Sequence, residues 1–252
     1  MATYVLVAGN WLGGWAWADV TRHLRAAGHD AHPVTLTGVG DRVHLASSTV
    51  DLDTHISDVV HTMEYENLHD VILVGHSYGG FPVTGAADKV PDRLARVVYV
   101  DSGPLPDGSS QLDTLGPEGR DAILARMGAD PDDGWREPLP TWAAVEADGT
   151  GGGLDEAAWA RIAARATAQP LGANAQPLHL VDDKRRNAIP HTLITCLFPL
   201  EQVRAMIAAK HPFFAAFTAD QDWSYAELPT GHWPMFSEPE QLARILDDLS
   251  GR

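Results

Sequence analysis

A short apolar run that leads into a glycine-flanked serine constrains the fold of this chain most strongly. Residues 71–74 are Val-Ile-Leu-Val, Gly75-His76-Ser77-Tyr78-Gly79 follows at once, and a helix-compatible stretch comes next. A G-x-S-x-G sequence between a strand and a helix is typical of a sharp turn that lifts a serine hydroxyl above a sheet edge. Gly75 and Gly79 lack the Cβ atoms that would collide where strand and helix crowd together. The pattern therefore predicts a nucleophilic Ser77 at the edge of a parallel sheet.

Strand and helix patterns alternate on both sides of this motif. Strands are predicted over residues 4–8, 31–36, 71–74, 96–100, 191–198 and 223–228. A helix is predicted to open near Asp51, with an apolar face and with His55 and His61 on its solvent side. Strands separated by helices favour a mostly parallel sheet that helices cover on both faces.

The pattern changes between residues 104 and 190. This segment carries most of the prolines, the Gly151-Gly152-Gly153 run and short helical patterns, but no strand alternation. We interpret residues 104–190 as a small helical cap. It is inserted between two parts of an α/β core, residues 1–103 and 191–252.

Charge and cysteine content narrow the possible partners. The 252 residues include 34 Asp and Glu against 18 Lys and Arg, which gives a net charge of −16. Nucleic acids and anionic membranes bind basic faces, so neither is expected as a partner. No apolar run approaches transmembrane length, and the single Cys196 fits a reducing compartment. We expect a cytoplasmic monomer or homodimer that binds a small-molecule substrate.

A serine hydroxyl is a good nucleophile only when a base takes its proton and an acid orients that base. His232 is the predicted base, because it follows the last predicted strand and ligands bind outside the carboxyl ends of parallel strands. Two backbone N–H groups must then hold the oxyanion that forms. Tyr78 and Asn10, in the loop after the first strand, are predicted to supply them. No histidine–carboxylate pattern has metal-ligand spacing, so no metal is expected.

These motifs resemble the α/β-hydrolase superfamily, and within it the small cap-bearing branch of esterases and hydroxynitrile lyases. The similar segments are residues 5–15, 34–42, 74–80, 98–101 and 230–232. The resemblance implies an α/β-hydrolase fold, Ser77 as nucleophile, His232 as base, Asn10 and Tyr78 as oxyanion donors, and no cofactor. The chain departs from the pattern twice. Ala8 stands where relatives carry a histidine, and residues 195–201 lack the aspartate that usually follows the penultimate strand.

Several positions therefore compete for the acid of the triad. Asp101 ends the strand over residues 96–100, so it is predicted at the carboxyl edge of the sheet, and we favour it. The alternative interpretation is that Asp101 caps nearby backbone amides. Glu201 lies just past the usual position, whereas Asp220 and Asp222 precede the last strand at its other end. A triad without an acid also stays open.

Aromatic residues surround the predicted site. Trp11, His76 and Trp233 lie in its motifs and Trp135 and Trp142 in the cap. The tryptophans are predicted to contact a bulky apolar or aromatic substrate, or else to pack the cap onto the core. The side chain of His76 should point away from that of Ser77, and His76 is interpreted as pocket-lining or structural. The sequence favours a serine hydrolase that cleaves an ester, lactone or thioester through an acyl-enzyme on Ser77. A cofactor-free lyase and a non-catalytic binding protein on the same scaffold are the alternatives.

Overall fold

The computed structural model describes residues 1–130, 132–211, 214–217 and 222–251. Its strands are β1 (Thr3–Val7), β2 (Asp30–Val34), β3 (Val71–His76), β4 (Leu94–Val100), β5 (Arg136–Glu137), β6 (Gln169–Pro170), β7 (His191–Thr195) and β8 (Trp223–Glu227). Six of them form one sheet in the order β2-β1-β3-β4-β7-β8, and every neighbouring pair is parallel. The mostly parallel central sheet that the alternating pattern predicts is therefore present.

Helices lie on both faces of this sheet and in the segment between β4 and β7. They are α1 (Ala18–Ala26), α2 (Leu52–Tyr65), α3 (Gly80–Lys89), α4 (Gly116–Ala129), α5 (Trp142–Ala147), α6 (Glu156–Ala163), α7 (Leu171–Ala175), α8 (Asp183–Asn187), α9 (Leu200–Ala208), α10 (Pro234–Ser237) and α11 (Pro239–Leu249). Short 3-10 turns span Gly14–Trp17, Gly40–Leu45, Ser77–Gly79, Pro91–Arg93 and Gln111–Leu115.

The alternation of side chains along each strand divides the core into two layers. Val71 and Leu73 of β3 pack in the layer that contains α2 and α3. Ile72 and Val74 pack on the opposite face, in the layer that contains α1 and α11. All six residues of β3 are buried, and burying one such aliphatic side chain stabilises the fold by about 1.5–3 kcal/mol. A strand that is apolar on both faces therefore lies at the centre of the sheet.

The segment between β4 and β7 leaves the sheet and returns to the neighbouring strand position. It contains α4 to α8 and one short antiparallel pair, in which Arg136 faces Pro170 and Glu137 faces Gln169. The sequence showed no strand alternation in this segment, and each strand of the pair has only two residues, too few for alternation to appear. Within the described residues, no helix is both long enough and apolar enough to span a membrane.

Candidate active site

The strand order brings the predicted site residues to one edge of the sheet. Strands β1, β3 and β4 are neighbours and run parallel, so their carboxyl ends lie side by side. Asn10 lies in the loop after β1, Ser77 follows β3 and Asp101 follows β4. His232 comes from the loop after β8, two strand positions beyond β4. The architecture thus gathers residues from both ends of the chain, and Ser77 and His232, which are 155 positions apart, lie in direct contact.

Ser77 lies at the apex of a strained turn. Its φ of 52° is in the left-handed region, which costs a non-glycine residue about 1–2 kcal/mol. Close packing holds the turn in place. A Cβ at position 79 would lie 2.6 Å from the Val7 carbonyl oxygen, and the Ser102 hydroxyl donates to the Ser77 carbonyl at 2.6 Å. The turn therefore fixes the direction of the Ser77 side chain.

Ser77, His232 and Asp101 form a hydrogen-bonded relay. The Ser77 Oγ lies 2.8 Å from Nε2 of His232, and Nδ1 of His232 lies 2.6 Å from Oδ2 of Asp101. Burial alone would raise the pKa of Asp101, but its hydrogen bonds to His232 and to two backbone amides outweigh burial and lower that pKa. An ionised Asp101 accepts a hydrogen bond from the Nδ1–H of His232, which leaves Nε2 of His232 free to accept a hydrogen bond from the serine hydroxyl.

The amides that hold Asp101 come from the position where relatives usually carry an aspartate. Its Oδ1 accepts from the backbone N–H groups of Cys196 and Leu197, each at 3.1 Å. These residues directly follow β7, so that loop contributes donors instead of the acid. Glu201 is exposed in the first turn of α9, and Asp222 is exposed before β8. Asp220 lies outside the described residues.

Backbone hydrogen bonds to the cap segment hold the His232 loop. The His232 N–H donates to the Thr150 carbonyl at 2.8 Å, and the Gly231 N–H donates to the Gly152 carbonyl at 2.9 Å. A Cβ at position 231 would lie 2.4 Å from the Gly152 nitrogen, so glycine permits this close approach of backbone segments. The glycine run of residues 151–153 thus packs the cap segment against the histidine loop.

The side chain of His76 supports the same loop through a hydrogen bond to its backbone. Its Nε2 donates to the His232 carbonyl at 2.6 Å, and its side chain is fully buried. Burial and the neighbouring His232 lower the pKa of His76 to about 3, so the ring is neutral. The interpretation of His76 as a pocket-lining, substrate-binding residue is therefore corrected, because its side chain has no exposed surface; the contact with the His232 carbonyl agrees with the structural interpretation.

The side chain of Tyr78 is anchored in the core. Its hydroxyl donates to Nδ1 of His55 at 2.8 Å, and Nε2 of His55 donates to the Thr37 carbonyl at 2.8 Å. Burial lowers the pKa of His55, in keeping with a neutral ring that donates from one nitrogen and accepts at the other. The expectation that His55 is solvated is wrong, while His61 is exposed as expected. The burial of His55 could have been predicted from spacing, because position 55 lies one helical turn after Leu52 and one turn before Val59.

Two of the predicted substrate-binding tryptophans take part in packing the cap segment onto the core. The ring of Trp233 lies 4.7 Å from that of Trp159, and the ring of Trp142 lies 6.4 Å from that of Trp159. These contacts support the packing interpretation for Trp233 and Trp142. Trp135 is buried, and its indole donates to the Asp132 carbonyl inside the cap segment. Trp11 is half-buried beside Asn10.

An apolar cavity of about 180 Å³ lies beside the relay. Its walls include Asp101 and His232 together with the apolar side chains of Leu193, Leu197, Phe198, Val203 and Phe214. No group of three or more His, Cys, Asp or Glu side chains that could hold a metal ion occurs in the part of the chain that the structure describes.

Comparison with known proteins decides the family. The model of the α/β-hydrolase family matches residues 4–245. The chain belongs to this family. The expected fold class and the expected relation to its esterase-like branch are both confirmed, because the relatives include named esterases and methylesterases.

Two relatives and two solved structures illustrate these similarities. A carbendazim-hydrolysing esterase from Nocardioides sp. (strain SG-4G) is 34% identical over 268 residues, covering 99% of this chain and 100% of that protein. A pheophorbidase from Raphanus sativus is 34% identical over 108 residues, covering 42% of this chain and 41% of that protein. An extracellular α/β-hydrolase from a Paenibacillus species has a TM-score of 0.77 at 22% identity and covers 98% of both chains. A methylesterase from Arabidopsis has a TM-score of 0.74 at 20% identity, covering 100% of this chain and 99% of that one.

Proposed function

We propose that this α/β hydrolase is a serine hydrolase that cleaves an ester, lactone or thioester through an acyl-enzyme on Ser77. The observation that carries the proposal is the continuous relay from Ser77 Oγ through His232 to Asp101, with contacts of 2.8 and 2.6 Å. A base within hydrogen-bond reach of a serine, itself oriented by a carboxylate, is the arrangement that nucleophilic catalysis requires.

In the first half-reaction His232 takes the proton of Ser77 while Oγ attacks the substrate carbonyl carbon. The carbonyl oxygen becomes an oxyanion, which the backbone N–H groups of Asn10 and Tyr78 hold. One such donor is worth about 10²–10³ in kcat. His232 then gives its proton to the leaving alcohol or thiol, which departs and leaves the acyl group on Oγ.

In the second half-reaction His232 takes a proton from water as the water oxygen attacks the acyl carbon. The bond from that carbon to Ser77 Oγ breaks, and His232 returns the proton to Oγ. Asp101 stays ionised throughout and stabilises the imidazolium each time it forms. Its lowered pKa supports this role.

The substrate we propose carries a bulky apolar or aromatic group. The apolar side chains around the cavity beside Asp101 and His232 favour such a group through burial of its surface. The Nocardioides relative, named for the hydrolysis of carbendazim, supports the same class. A cytoplasmic location and a monomeric or homodimeric state stay predictions.

Stopped-flow hydrolysis of an aryl ester tests the acyl-enzyme. We expect a burst of phenolate that approaches one equivalent per active site, and an acyl mass increment on the peptide that contains Ser77. The S77A variant should show neither, while S57A, which changes a half-buried serine on α2 that bonds to the Asp53 carbonyl, should match the wild type. Cleavage of a cyanohydrin to its aldehyde, with neither ester turnover nor an acyl adduct, would favour the lyase alternative. Ligand binding without turnover, unchanged in S77A, would favour a binding protein.

A further inference from the structure

All three polar groups of Trp11 are bound by the cap segment. Its backbone N–H donates to Oε1 of Gln169 at 3.2 Å, and its carbonyl accepts from the Thr167 N–H at 3.0 Å. Its indole Nε1 donates to the Glu137 carbonyl at 3.0 Å. Glu137 and Gln169 face each other in the β5–β6 pair, so both strands of this small sheet bind Trp11.

The backbone of Trp11 needs such support. Its φ of 67° is in the left-handed region, and a bulky non-glycine residue persists there only when the surroundings hold it. The three hydrogen bonds to the cap segment supply that support.

The next residue toward the N-terminus is Asn10, the proposed second oxyanion donor. Its side-chain Oδ1 accepts from Nδ2 of Asn174 at 3.2 Å, and the same nitrogen donates to Gln111 at 3.0 Å. Asn174 and Gln111 also belong to the segment between β4 and β7. This segment therefore contacts the loop at both consecutive residues, Asn10 and Trp11.

We propose that Trp11 is a positioning residue, through which the β5–β6 pair keeps the Asn10 N–H aimed at the oxyanion. The proposal rests on the proposed function. An oxyanion donor is effective only about 2.7–3.1 Å from the developing charge. Releasing Trp11 from the cap lets its backbone leave the left-handed region and turns the adjacent Asn10 N–H away. The cap segment is thus part of the transition-state site.

The W11F variant is the first test, because it keeps an aromatic ring and the backbone bonds but loses the bond to Glu137. We expect kcat for an aryl ester to fall about tenfold, a fraction of the loss of a whole donor, with KM unchanged within twofold. The affinity for an aryl trifluoromethyl ketone, whose adduct with Ser77 carries an oxyanion, should fall by a similar factor. The affinity for the corresponding methyl ketone should stay within twofold.

The Q169L variant removes the acceptor of the Trp11 N–H and should give the same split between kcat and KM. The matched control is W159F, which loses an indole hydrogen bond to Pro140 inside the cap segment and should keep wild-type kinetics. Thermal unfolding of each variant checks that it is folded.

The possible outcomes separate two failures. A wild-type protein that neither forms an acyl-enzyme nor binds the trifluoromethyl ketone would overturn the proposed function. If the wild type is active but W11F and Q169L bind both ketones like the wild type, or fail to fold, the positioning role alone is overturned. Equal losses in W159F would also overturn it.

Discussion

Replacing Asp101 by asparagine should abolish most activity while leaving the fold in place. The new amide oxygen can still accept from the Cys196 and Leu197 N–H groups, which now lie 3.1 Å from Oδ1. The amide nitrogen then faces Nδ1 of His232 across the present 2.6 Å contact. Because that nitrogen donates, the imidazole must accept at Nδ1 and carry its proton on Nε2, where it no longer accepts from Ser77. The same change in serine protease triads lowers kcat by about 10⁴, or about 5.5 kcal/mol of barrier.

Steady-state hydrolysis of an aryl ester by D101N measures this effect, and urea unfolding measures the free energy of unfolding beside it. We expect a fall in kcat of about 10³–10⁴ and a change in unfolding free energy of less than about 2 kcal/mol. The matched control is E201Q, which changes the exposed carboxylate on α9 and should keep wild-type activity. Retention of kcat within tenfold in D101N, or a comparable loss in E201Q, would refute the assignment of Asp101.

Three further changes test the surroundings of the relay. Folded His76 binds a proton only below about pH 3 and unfolded His76 below about pH 6.5, so unfolding takes up a proton in between. Urea titrations should therefore show that the wild type loses about 2 kcal/mol more of its unfolding free energy than H76Q between pH 7 and pH 5. Equal losses in the two proteins would contradict this. H55L leaves the Tyr78 hydroxyl without its His55 partner and should lower the free energy of unfolding by about 1–3 kcal/mol, part of which Y78F should restore in the double variant; wild-type stability would refute it. G79A places a Cβ 2.6 Å from the Val7 oxygen and should cost about 1–3 kcal/mol or more, whereas G128A, with open space around it, should be neutral or stabilising by about 0.5–1 kcal/mol; equal melting temperatures would count against the packing argument.

The parts of the site that local sequence and strand order determine could be predicted. Ser77 is defined by a strand, a glycine-flanked turn and a helix, which are all local features. Asp101 and His232 were placed by one rule, that the ends of parallel strands share an edge. The structure brings these three side chains together, and the amides after β7 explain how the site can lack the usual aspartate.

Contacts between distant segments could not be predicted. The β5–β6 pair has two residues in each strand, too few for any alternation to appear in the sequence. The bond between Trp11 and Gln169 joins residues 158 positions apart, and no local pattern relates them. His55 is a different case, because the spacing that buries it was present. A polar residue on an apolar helix face is buried when a partner satisfies it, and here the partner is the Tyr78 hydroxyl.

Labelling with a fluorophosphonate tests the central claim most directly, because the reagent phosphonylates only a serine that a base activates. The account predicts one adduct per folded chain on the peptide that contains Ser77. It also predicts labelling at least about 10³-fold slower in H232A, which lacks the base. No adduct on Ser77 in the folded protein, or equal labelling rates in the wild type and H232A, would contradict the account.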